Sequence, residues 1–148
     1  MYRRILVPVD GSPTSTKALL AALEIARWKD GCVRLVYVLE PLAAAGGTAH
    51  GESLRQVLRD EGTEILQRAL AIADAAEVSA ETRLLDEPGR RLGEVIAEQA
   101  QAWSADLVVV GTHGRRGFHR ALLGSGAEQI LRLAPVAVLA VRDEGAAA

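Results

Sequence analysis

The chain has 148 residues, 49% of them hydrophobic and 24% charged, with a net charge of −2. That balance suits a single domain with a buried core and argues against nucleic acid as the main partner, which needs a basic surface. No apolar run approaches a membrane span, no signal-peptide pattern opens the chain, and the one cysteine, Cys32, forbids an internal disulfide. A cytoplasmic protein is expected, with Cys32 as a small core residue.

Ile5 to Val9 reads as a strand: short, apolar and β-branched. Asp10-Gly11-Ser12-Pro13 ends it, with Ser12 as a helix N-cap and Pro13 in the first turn. Leu19, Ala22, Leu23 and Ala26 then mark the apolar stripe of a helix. A second strand follows from Cys32 to Leu39. Residues 41–51 are rich in small residues and glycine, so a mobile loop is expected over 43–51. A long helix is predicted from about Glu52 to Ala76, with Leu54, Leu58, Ile65, Ala69 and Ile72 on one stripe. Glu81 to Leu85 makes a weak third strand, broken by Asp86-Glu87-Pro88-Gly89. Leu92, Val95, Ile96, Ala100 and Trp103 outline the third helix. Asp106 to Val110 is the fourth strand. Ala127, Ile130, Leu131 and Ala134 face inward from the last helix, and Val136 to Val141 forms the last strand before a frayed tail at 144–148.

Strands alternating with helices predict an α/β fold: one doubly wound domain over 1–148, its parallel sheet covered on both faces. The apolar texture of strands one, four and five fits burial on both sides. In such sheets ligands sit beyond the carboxyl ends of the strands, where the strand order reverses.

Gly111-Thr-His-Gly114, then nine residues, then Gly124-Ser125, occupies that place between a strand and a helix. Glycine lets backbone approach a ligand, and a helix N-terminus presents unpaired N–H groups, so the segment is suited to a phosphate. Gly111 and Gly114 are either ligand-facing or plain turn glycines. Ser125 is either a phosphate contact or, with Glu128, half of a capping box. Asp10 either grips a ribose or complements the positive end of the first helix. Arg115 either neutralises phosphate or belongs to a solvated pair with Arg116. His113 shapes the loop. His113 and His119 are not spaced as a metal pair, so no protein-made metal site is expected.

The opening Ile5-Leu6-Val7-Pro8-Val9-Asp10-Gly11-Ser12, the glycine spacing and the closing Leu133-Ala134-Pro135-Val136-Ala137-Val138-Leu139 together resemble the universal stress protein family over nearly the whole chain. The resemblance implies five parallel strands in order 3-2-1-4-5 and a homodimer through the last strand, 136–141. It implies ATP as ligand, with Mg²⁺ carried on the phosphates. Asp10, with Pro8 beside it in the motif, would lie by the ribose, and Val38 by the adenine. Gly111, His113, Gly114, Arg115, Gly124, Ser125 and Gly126 would wrap the ribose and phosphates. The chain departs from the family pattern at Ala137, where proline is common, at Asp86, where glycine often precedes the acid–proline pair, and at Gly126, where a small branched residue is frequent.

The chain lacks a Gly-x-x-x-x-Gly-Lys-Ser/Thr lysine loop, a Gly-x-Ser-x-Gly nucleophile and a general base beside the glycines. Binding without efficient turnover is therefore expected, in a stress-response regulator. The alternative is a slow ATPase or phosphotransfer enzyme using the same pocket. A phospho-receiver domain fails on chemistry, because the only lysines, Lys17 and Lys29, sit on or near the first helix.

Overall fold

A computed structural model describes residues 1–39, 49–113 and 123–143. The elements run β1 (Arg4–Pro8), α1 (Pro13–Arg27), β2 (Cys32–Val38), α2 (Ala49–Ala75), β3 (Ser79–Leu85), α3 (Leu92–Ala102), β4 (Leu107–Gly111), α4 (Ser125–Leu133) and β5 (Ala137–Val141). All ladders are parallel, and the sheet order is β3-β2-β1-β4-β5, as expected.

Alternation along the strands divides the core between the two faces. Ile5, Val7, Val33, Leu35 and Val109 point to one face, where α1 brings Leu19 and Leu23 and α2 brings Ile65, Leu66 and Ala69. Leu6, Val36, Val108 and Val110 point to the other, under Ile96 and Ala100 of α3 and Ala127 and Ile130 of α4. Ser12 caps α1 through its hydroxyl, which accepts from the Ser15 amide at 3.2 Å, and Pro13 opens the helix.

Several expectations need correction. The long helix begins at Ala49, so residues 49–51 are helical rather than loop. Leu54 is 49% exposed and Leu131 44% exposed, so neither belongs to the core stripe assigned to it. The central strands β1 and β4 are buried on both faces, but β5 is a half-exposed edge. Cys32 is half-buried at the start of β2. The loop expected at 43–48 and the tail at 144–148 lie outside the described residues.

At the end of β3, Asp86 is held from α2. Arg55 and Arg59 each donate through Nε to Asp86 Oδ2, at 3.0 and 2.9 Å. The Arg55 and Asp86 side chains are only 14% and 17% exposed. Removing one member of such a group strands the others' charge in a poorly solvated place. Asp86→Ala should therefore cost about 2–4 kcal/mol, read as a lower urea midpoint at unchanged slope.

Candidate functional site

The strand order reverses between β1 and β4, which are neighbours although their connections lead to opposite faces. The crevice at their carboxyl ends is the natural ligand position of this architecture. The chain leaves β1 through Val9 and Asp10, then turns at Gly11, whose φ of 81° favours glycine. Asp10 Oδ1 accepts the Ser12 amide at 2.8 Å, and the Asp10 amide donates to Ser15 Oγ at 3.1 Å. The acid is therefore fastened, half-buried, at the mouth of α1, with one carboxylate oxygen serving the turn.

Gly111 ends β4 against the first turn of α1. A Cβ there would stand 2.9 Å from Thr14 Cγ2 and 3.0 Å from the Thr14 carbonyl carbon and oxygen. Its glycine character is thus required by packing, whatever it does for a ligand. Thr112 is buried, donates its amide to the Val141 carbonyl at 2.9 Å, and places Oγ1 3.0 Å from His113 Nδ1. The imidazole is turned back toward β4 by that contact. The Thr112 carbonyl in turn accepts the Gly124 amide at 2.7 Å, which ties the two ends of the glycine segment together. The N–H of Gly124 is therefore committed to the protein.

Gly124, not Ser125, is the N-cap of α4, with φ −61° and ψ 152°. The capping box expected from Ser125 and Glu128 does not form: Ser125 is the first helical residue, and among the described residues no side chain caps this end. Glu128 instead sends its amide to the Gly124 carbonyl at 2.9 Å and pairs with Arg132 at 2.9 Å. By position, the amides of Ser125, Gly126 and Ala127 have no acceptor within the helix, and glycine cannot supply one from its side chain. Ser125 is exposed, and Gly124 and Gly126 are half-buried. Three donors and the positive end of the helix dipole thus meet at the rim, a donor set that fits phosphate oxygens.

Val38, half-buried, ends β2. The last rung between β1 and β2 runs from the Val9 amide to the Val36 carbonyl at 2.9 Å, with Pro8 paired to Val36. Two residues further on, the main-chain groups of Val38 point to the same side, where β1 has already turned away at Asp10. Backbone donor and acceptor there match the edge of a planar base. Pro8, Asp10, Val38, Gly111, His113, Gly124, Ser125 and Gly126 therefore all lie at the carboxyl rim. Gly114 and Arg115 lie outside the described residues.

Three residues that shape the rim were not singled out from the sequence: Thr14, Thr112 and Gln129. The Gln129 Oε1 accepts the Gly93 amide at 3.1 Å. Only Thr112 left a trace, as a polar residue directly after a buried strand.

The model of the Universal stress protein family matches residues 1–142. The chain is 35% identical over 144 residues to universal stress protein MJ0531 of Methanocaldococcus jannaschii, covering 96% of this chain and 83% of that one. Among solved structures, a protein of the universal stress protein family from Burkholderia pseudomallei superposes with a TM-score of 0.75 at 31% identity, covering 94% and 95% of the two chains. The universal stress protein from Archaeoglobus fulgidus, solved in complex with dAMP, superposes with a TM-score of 0.71 at 25% identity, covering 95% and 98%. With the family pattern matched from the first strand to the last, this chain belongs to the universal stress protein family.

Proposed function

We propose that this protein is a cytoplasmic, ATP-binding regulator of the stress response that holds the nucleotide without efficient turnover. The observation that carries the reading is the uncapped first turn of α4, whose N1 to N3 amides stand at the rim where β1 and β4 diverge. Asp10, with Pro8 beside it, receives the ribose, Val38 borders the adenine, and Ser125 and Gly126, with Gly114 and Arg115, receive the phosphates. Mg²⁺ accompanies the triphosphate, held mainly by its oxygens. The dAMP held by the Archaeoglobus relative supports an adenine nucleotide at a site of this kind.

The acting unit is a homodimer joined along β5. That strand is one edge of the sheet, and its Leu139 is 38% exposed. An edge of this sort is normally covered. Bound nucleotide then sets the shape of the dimer or its choice of partner.

Native mass spectrometry of protein purified without added nucleotide tests ligand and stoichiometry together. A dimer carrying an adenine nucleotide is expected. ATP at about 100 times its Kd should add about 2.7 kcal/mol of stability, a rise of about 5–10 °C in Tm for a chain of this length. An empty monomer that ATP does not stabilise would overturn the reading.

A further inference from the structure

We infer that Gln129 is a positioning residue for the phosphate end of the site: it locks the first turn of α3 to α4 and thereby aims the α4 amides. The inference rests on the nucleotide reading above.

Gly93 is the second residue of α3, so its amide has no acceptor within its own helix. It is also buried. Its partner comes from the neighbouring helix, as Gln129 Oε1 at 3.1 Å. The two helices touch closely at this point. A Cβ on Gly93 would lie 2.5 Å from Gln129 Cβ and 2.8 Å from its carbonyl carbon. One turn nearer the rim, a Cβ on Gly126 would lie 2.8 Å from Leu92 Cδ2. Leu92 and Gly93 of α3 thus face Gly126 and Gln129 of α4 as one tight seam. Gln129 lies three residues after Gly126 and four after Ser125, about 5–6 Å along the helix axis. Without its carbonyl oxygen the Gly93 amide is left buried and unpaired. The seam then opens to admit water or shifts to find another acceptor. Either adjustment rotates the first turn of α4, where hydrogen bonds to an anion depend steeply on angle.

Gln129→Met keeps the length and volume of the side chain but removes the acceptor. Calorimetric titration with ATP and with adenosine separates the two ends of the ligand. ATP affinity should fall about tenfold while adenosine affinity stays within about twofold. Hydrogen exchange at the Gly93 amide should quicken, and Gln129→Glu, which retains an acceptor oxygen, should restore its protection. Equal losses for ATP and adenosine, or unchanged ATP affinity, would overturn the positioning role while leaving the nucleotide reading in place. Wild-type protein that binds neither ligand would overturn both.

Discussion

Replacing Ser125 with proline should leave the fold intact and remove most of the affinity for ATP. Ser125 is the first residue of α4, where proline is favoured because the amide it lacks has no acceptor in the helix. The preceding Gly124 has ψ 152°, the extended geometry that a residue before proline prefers. The Ser125 side chain is exposed and caps nothing. Stability should therefore change by no more than about 0.5 kcal/mol. A phosphate, however, loses one charge-assisted hydrogen bond. That is worth about 1.5–3 kcal/mol, or about 10- to 150-fold in Kd. Ser125→Ala is the matched control, since it removes the hydroxyl and keeps the amide. Isothermal titration of both variants decides the matter. A proline variant that binds ATP as tightly as wild type would show that the Ser125 amide does not hold a phosphate.

Gly111→Ala should be damaging even with no nucleotide present. The added methyl would press on the backbone of Thr14, in the first turn of α1, and backbone cannot swing aside as a side chain can. Relief requires α1 to move from the end of β4, at about 1–3 kcal/mol. The loss should appear in urea denaturation of ligand-free protein, with Tm lower by about 2–4 °C for each kcal/mol. Nucleotide affinity should fall as well, because Thr14 follows the turn that fastens Asp10. A glycine needed only for ligand contact would leave the empty protein as stable as before.

Ser125 and Gly111 show where sequence reasoning reaches its end. The alternation of strands and helices along the chain was legible because it rests on local chemistry: β-branched runs, the Ser12-Pro13 start, and apolar residues three and four apart; the order of strands in the sheet came only from the family resemblance. The start of α2 was not, because Ala49-His50-Gly51 has the composition of a loop, and a 27-residue helix absorbs a glycine that a short one would not. Leu54 and Leu131 fit the helical period but look outward, since periodicity gives the face of a helix and not what covers it. The described glycines of the motif lie at the carboxyl rim, yet the motif left each role open. Gly111 is required beside Thr14, a residue far away in sequence. The Gly124 amide is taken by the Thr112 carbonyl, a backbone-to-backbone bond that no side chain announces. Ser125 matched a capping box in spacing but stands one position too late to form it.

The bond between Thr112 and Gly124 fastens the connection from β4 to α4 at its base. Closing a connection becomes only slightly harder as residues are added, by about 0.6 kcal/mol per doubling of length. Changes in the length of that connection should therefore cost the scaffold little. Evolution or an engineer can vary it while inheriting the sheet unchanged.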